Sequence, residues 1–443
     1  MQVKIIILVY FVAVLAVGIY SYFKIKTPAD FYISGKRAGL ISVTGSMLAT
    51  ILGGSAILGT IELSKARGWP AIWFLCSAAF GLFLLIPLIK NINKTGHFTM
   101  PELLETFYGR KAKKIASVII PVAWIGIVAV QIIAAAKILA GLGFISYNQS
   151  AVLAGLVFII FTLVGGQIGI LKTDTLQSVI LLAGLFVVFL FSFINHNLKP
   201  VETFGTDALF NQSFRPVDLI ILILTYSTTF VIGPDIYSRV FCAKNEKVAT
   251  NSIIITGLLL IGVAFALTWL GFFAETNENN GIISFTALKL PDWIHGLFIA
   301  ALLSAIISSG TTLLNAAMIL SELTTGNLNK KNALKITQLY IVIIGISSIV
   351  IALFITSIIQ TLLFALTVFS GAFFVPTLAG LLNMKVNKKN VVFAILTGGL
   401  VALTGKLIQE FYNNSTGNII IISTYLINAA IVFYPFRKKI KNE

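Results

Sequence analysis

Charge is what this sequence has least of. Only 11% of its 443 residues are Asp, Glu, Lys or Arg, where a water-facing globular chain carries about 25%. So little charge cannot clothe a soluble protein of this length. Cysteine is nearly absent: Cys76 and Cys242 both stand in or beside apolar segments, which excludes a disulfide framework. Histidine is as scarce, and His97, His196 and His295 fall in loops or at helix ends without metal-ligand spacing. No nucleophile, base or metal cluster converges anywhere, so an enzyme is not expected. Acidic residues number 16 against 32 basic ones. The basic excess comes in short clusters between apolar runs, a pattern of membrane topology, and nucleic acid is excluded as a partner.

What is abundant is apolar sequence in long unbroken runs. About 20 such residues are needed for a helix to cross a bilayer, and in lipid every backbone polar group must be satisfied internally, so repeated spans are helices. The first run, Ile5 to Phe23, has only Lys4 before it, lacks a small-residue cleavage site and is followed by Lys24 and Lys26. It is expected to be a retained helix and not a signal peptide. In all, 13 spans are predicted: 5–23, 40–64, 69–90, 114–142, 149–171, 175–196, 217–240, 249–274, 292–324, 334–357, 359–383, 389–409 and 417–436. Short connections and the lack of any linker predict one domain over residues 1–443.

The basic clusters orient it. With the N-terminus outside, the inner loops hold Lys24, Lys26, Lys36 and Arg37, the run from Lys90 to Lys114, Lys172, then Arg239, Lys244 and Lys247. Lys330, Lys331, Lys335, Lys385, Lys388, Lys389 and the tail from Arg437 to Lys441 follow, so that 24 of the 32 Lys and Arg residues fall on one side. Glu275 and Glu278 fall on the other. The bias predicts an N-out, C-in protein of the cell membrane.

Two spans look broken. The second carries Gly53 and Gly54 at mid-depth, and the seventh carries Thr225 to Thr229 and then Gly233-Pro234. Glycine pairs also serve plain helix packing. Here the interruptions recur at matching places in two sets of five spans, residues 39–196 and 217–383, with 389–436 as peripheral helices. Matched breaks point to a transport site at the membrane midplane. In the ninth span Ala305, Ser308 and Ser309 share one helix face, and Ser308, Thr311 and Thr312 repeat that spacing one turn on. Hydroxyls and freed carbonyls are ligands for a hard cation; the plainer reading is that these hydroxyls bond back to their own helix or glue helices together.

Several stretches resemble the sodium:solute symporter family: Asp30 to Gly39, Thr99 to Gly109, Thr173 to Gln177, and Ala301 to Leu323, in the family's order over most of the chain. The resemblance implies an all-α membrane protein of LeuT type, with a 5+5 inverted repeat and alternating access. It implies a main sodium (Na+) site from the carbonyls of Ala49, Leu52 and Ala305 and the hydroxyls of Ser308 and Ser309. It also implies a second sodium site from Asp174, Ser308, Thr311 and Thr312, where many members have serine at the two threonine positions. Asp174 is among very few carboxylates near membrane depth. It is either part of an ion pathway or a cap at a helix start. Lys137, near a span end, is expected to snorkel and play a structural part.

The solute is less legible. The stretches at Ile51, Ser55, Ala56 and from Trp69 to Ile86 hold no carboxylate, and a sugar would find few partners there. A small amino acid or monocarboxylate is favoured, with Thr50, Ser55, Trp124, Gln131, Tyr226 and Thr228 as contacts by depth and polarity. The expected function is sodium-coupled import of that solute by a monomer in the lipid bilayer. Proton coupling, which would dispense with Ser308 and Ser309, is the near alternative; a transporter-like membrane sensor is the distant one.

Overall fold

The structure, a computed structural model, describes residues 2–22, 31–32, 34–93, 99–143, 145–194, 208–273, 281–307, 310–328, 330 and 332–434. It is almost wholly helical. Among the described residues 11 helices are long and apolar enough to cross a membrane, or 12 if one bent pair counts as a span. The first expected span, 5–23, corresponds to the helix Gln2–Tyr22. The outer faces carry large apolar side chains such as Val122, Phe186, Leu258 and Leu400, all exposed on the protein surface. In lipid such a surface is the ordinary one.

The span Asp292–Thr325 is the most enclosed, with 93% of its apolar window buried, whereas Ala333–Phe354 and Asn414–Phe433 are 39% buried and peripheral. Around that central element lie the two broken helices. The first is Leu40–Ile51 followed by Gly54–Arg67, bent by 49° at the junction. Leu52 leaves the helix at φ −84° and ψ 38°, and Gly53 at φ −58° and ψ 166°. Glycine is needed at 53 for space: a Cβ there would lie 2.9 Å from the side-chain amide of Gln131. The second runs Pro216–Leu222, a π-helical turn Ile223–Ser227, Thr228–Ile232 and Pro234–Cys242. It breaks at Gly233 (ψ 127°) because Pro234 cannot continue the helix above it but starts the next one well. Both breaks fall where the sequence places them.

The two broken helices are tied at one end. Ala38 N donates to Cys242 O (3.1 Å), and Lys244 N donates to Ala38 O (3.0 Å). One boundary differs from expectation. The chain is helical from Tyr147 to Ile194, and its two candidate spans are Tyr147–Val164 and Gln167–Ile194. The helix runs on through Lys172 and Asp174, where a loop is expected, so both stand inside it. The Lys172 ammonium rests 4.5 Å from the Tyr20 ring centroid.

Packing at the second break is close. A Cβ on Gly81, in the helix Ile72–Leu85, would lie 2.1 Å from the Ser227 carbonyl oxygen. Overpacking costs about 1–3 kcal/mol. Gly81→Val is therefore expected to lower the melting temperature of the detergent-purified protein by several degrees, read by size-exclusion thermostability. Gly262→Val, where a Cβ meets nothing within 4 Å, is the control. Equal melting temperatures would show that the two helices do not approach this closely.

Candidate functional site

Residues on both sides of the breaks enclose a cavity of about 80 Å³. Thr50, Ile51 and Ser55 come from the first broken helix, Tyr226, Thr229 and Asp235 from the second, and Trp124, Gln131 and Thr312 from the helices behind. Five of the six contacts expected from sequence line it: Thr50, Ser55, Trp124, Gln131 and Tyr226. Thr228 does not. The π-turn adds a residue to the local register, so Thr229 faces the cavity, while the Thr228 hydroxyl donates to Leu224 O (2.5 Å).

Gln131 holds the first break open. Its Nε2 donates to Ser55 Oγ (2.8 Å) and its Oε1 accepts from Ser55 N (3.3 Å). It thereby satisfies one of the backbone donors exposed at the start of Gly54–Arg67. Opposite it stands Asp235, in the first turn after the second break. Its carboxylate accepts from Trp124 Nε1 (3.2 and 3.3 Å), Thr312 Oγ1 (3.0 Å) and Asn315 Nδ2 (2.6 Å). All three donors are neutral, and among the described residues Asp235 is the one charged residue in the cavity lining. A helix N-terminus favours that carboxylate, but its full negative charge has no formal counter-charge in the wall.

Below the cavity lies a second polar cluster. The Arg239 guanidinium is fully buried and spends all three nitrogens. Nε donates to Ser46 Oγ (3.1 Å), and Nη1 to Asp235 O and Ser238 Oγ (both 3.0 Å). Nη2 donates to Thr50 Oγ1, to Thr311 Oγ1 (2.8 Å) and to Asp174 Oδ2 (3.4 Å). Asp174 is equally buried and its Oδ2 also accepts from Ser46 Oγ at 2.5 Å. Its Oδ1 has no hydrogen-bond partner among the described residues. A carboxylate seated this way is not the helix-start cap that the residues alone left open.

Of the expected sodium ligands, Asp174 and Thr311 take part in these contacts. Thr50 and Thr311 meet at one nitrogen, so the broken-helix end and the hydroxyl-bearing segment after residue 309 adjoin. Ala49 and Ala305 are buried on packed helices, and Leu52 sits at the break. Ser308 and Ser309 lie outside the described residues. Thr311 and Thr312, expected together at a second sodium, part company: Thr311 turns to Arg239 and Thr312 to Asp235. Adjacent residues stand about 100° apart around a helix, so their side chains can reach different partners. Lys137 pairs with Glu62 (2.9 Å) away from the cavity, in the structural part expected of it.

Sequence reading missed Asp235, Asn315 and Arg239. By sequence Arg239 reads as an inner-loop residue, and Asp235 carries no expectation. The signal was available: an acid and a base four residues apart, directly after Gly233-Pro234, on a helix that begins at membrane depth.

Paired broken helices around a polar midpoint define a membrane transporter of the LeuT-type fold. A solved Na+-coupled sialic acid symporter, in a substrate-bound outward-open state, superposes with a TM-score of 0.77 over 97% of this chain and 98% of that one, at 19% identity. The chain belongs to the sodium:solute symporter family, whose profile matches residues 31–399. The sodium/proline symporter of Haemophilus influenzae is 22% identical over 441 residues, covering 90% of this chain and 87% of that protein. Solute carrier family 5 member 4 of Rattus norvegicus is 28% identical over 199 residues, 43% of this chain; the match spans only 29% of that longer protein.

Removing one partner of a buried ion pair strands the other, at about 3–5 kcal/mol. Asp174→Asn and Arg239→Gln are each expected to destabilise the protein on that scale. The double variant is expected to lose clearly less than the sum, measured by thermal unfolding in detergent as a double-mutant cycle. Strict additivity would show that the two charges are not coupled.

Proposed function

We propose that this protein is a sodium-coupled symporter that imports a small zwitterionic amino acid by alternating access. The observation that carries the solute class is Asp235: a lone carboxylate facing a small cavity whose lining contains no base. A monocarboxylate alone would meet repulsion there, and a sugar would leave the charge uncompensated. The ammonium of an amino acid complements Asp235. Its carboxylate is suited to the other break, where the half-helix Gly54–Arg67 begins. The family membership and the likeness to a sodium/proline symporter support the same reading.

Sodium is proposed at the first break, held by the carbonyls of Ala49, Leu52 and Ala305 and the hydroxyls of Ser308 and Ser309. Asp174 Oδ1, which has no hydrogen-bond partner among the described residues, supports a second sodium, for which Ser308 and Thr311 are the further proposed ligands; Thr312, engaged with Asp235, belongs to the solute cavity in this conformation. Residues 39–196 and 217–383 are proposed as the two repeats, and N-out, C-in as the orientation. The basic loops still favour that orientation when Lys172 and Arg239 are withdrawn from them. Sodium binding across the break orders the half-helices and raises solute affinity, and by linkage solute strengthens sodium binding. The electrical driving force is about 2.3 kcal/mol per charge per 100 mV.

Proteoliposomes test this directly, with labelled L-proline, L-alanine, lactate, sialic acid and glucose offered under inward sodium, potassium or choline gradients. Amino-acid uptake is expected with sodium alone. Ser308→Ala and Ser309→Ala should raise the sodium requirement. Asp235→Asn should raise KM about 10–100-fold, the loss of one charge-assisted hydrogen bond. Equal uptake with choline would overturn sodium coupling, and preferred uptake of lactate or glucose would overturn the solute class.

A further inference from the structure

The π-turn Ile223–Ser227 decides which side chains reach the central cavity: Tyr226 and Thr229 line it, and Thr228 is turned away. Such a turn holds one residue more than a regular helix and departs from its hydrogen bonding. Thr228 N bonds Ile223 O, five residues back, in place of Leu224 O, four back. The Leu224 carbonyl thus loses its usual donor inside a span, where an unanswered backbone group is costly.

Two hydroxyls answer it. Thr228 Oγ1 donates at 2.5 Å and Tyr425 Oη at 2.6 Å, and a carbonyl oxygen has a lone pair for each. Tyr425 is buried and comes from Asn414–Phe433, a peripheral span that gives no residue to the described lining. Its phenol has one proton, spent on Leu224 O, so Ser370 Oγ, 2.7 Å away, is the donor in the bond between them. Ser370 follows Phe369, whose ring meets that of the cavity residue Trp124 edge-on at 4.7 Å. Tyr425 therefore stands behind the cavity wall, held by one helix that backs it and holding the turn in another. The Tyr425 ring also packs edge-on near Phe374, with centroids 6.3 Å apart, so Tyr425→Phe keeps the packing and removes only the hydroxyl.

We propose that Tyr425 is a positioning residue for the solute site: its hydroxyl keeps the turn in the π register and so keeps Tyr226 and Thr229 against the solute. Without it the balance moves toward the plain α register, in which Thr228 faces the cavity and Thr229 leaves it. The proposal rests on the central cavity being where the solute binds, whatever the solute's class. It gives a lipid-side span a part in recognition through one hydrogen bond.

Two readouts on the full chain in proteoliposomes test it, and the first needs no solute. In a Cys76→Ala background, whose remaining Cys242 is buried, Thr228→Cys is expected to react with methanethiosulfonate ethylammonium about fivefold faster once Tyr425→Phe is added, the worth of one hydrogen bond between helices. Thr229→Cys is the cavity-facing reference. The second readout is sodium-driven uptake of L-proline and L-alanine. KM is expected to rise by up to about fivefold in Tyr425→Phe, and by about 10-fold or more when Thr228→Val removes the other donor as well, with Vmax unchanged, because only the π register binds well. Asn428→Ala unties the same span from Gly371 O (2.7 Å) without touching the turn; it should lower the melting temperature and leave both readouts alone, which separates positioning from mere support. If Tyr425→Phe does not fold, Ser370→Ala, which frees the phenol, should speed the labelling of Thr228→Cys in its place. Unchanged labelling would overturn the proposal, and so would an unchanged KM in the variant lacking both donors. Failure of the wild type to take up either amino acid would overturn the amino-acid reading of the cavity, and the labelling would still decide the part of Tyr425.

Discussion

The pairing of Arg239 with Asp174 is the constraint on which the rest of this structure depends. A guanidinium with no exposed surface in a membrane protein is tolerable only if its charge and its donors are all answered. Answering them takes groups from four separate elements: Ser46 and Thr50 before the first break, Asp174 from Gln167–Ile194, Thr311 from Gly310–Thr325, and Ser238 and the Asp235 carbonyl on its own half-helix. The demand fixes where those elements sit. It brings the interrupted end of one broken helix to the half-helix Pro234–Cys242 of the other, and it places the hydroxyl-bearing segment against both. Asp235 and Arg239, on one short helix, then point one charge at the cavity and one at the support beneath it.

Much of this was legible in the residues. Gly53-Gly54 and Gly233-Pro234 announce breaks because glycine and proline act through the backbone, whatever surrounds them. Thr50, Ser55, Trp124, Gln131 and Tyr226 could be placed by depth and polarity because polar groups in a span face inward. What stayed hidden depends on geometry that composition does not encode. Arg239 lies close to a cluster of loop lysines, and hydropathy cannot separate a charge just outside a span from one folded back into it. Thr228 and Thr229 are equivalent by composition; only the π-turn decides which faces the cavity. Asp174 reads as a helix start because Lys172 reads as a loop residue, whereas the structure carries one helix, Tyr147–Ile194, through both.

Polar chemistry and backbone irregularity are thus collected at one depth, and the peripheral spans supply enclosure. The break at Gly53 persists because Gln131, from a neighbouring unbroken helix, supplies the partner that the missing helical turn would have supplied. Tyr226 in the cavity wall is backed by the Phe74 ring, stacked 4.3 Å away on an adjacent helix, so that wall needs no dedicated loop. Both devices use ordinary side chains on long helices and place the unusual backbone only where it lines a cavity.

The close approach of Gly81 to the Ser227 carbonyl has a mechanical corollary. A carbonyl oxygen seated where a side chain would begin works as a key in a slot: it blocks axial sliding and leaves tilting free. Because Phe74 rides on the same helix as Gly81, and Tyr226 immediately precedes Ser227, the stacked pair is geared to that joint. Any rocking of these two helices must carry the aromatic shutter with it as a single lever.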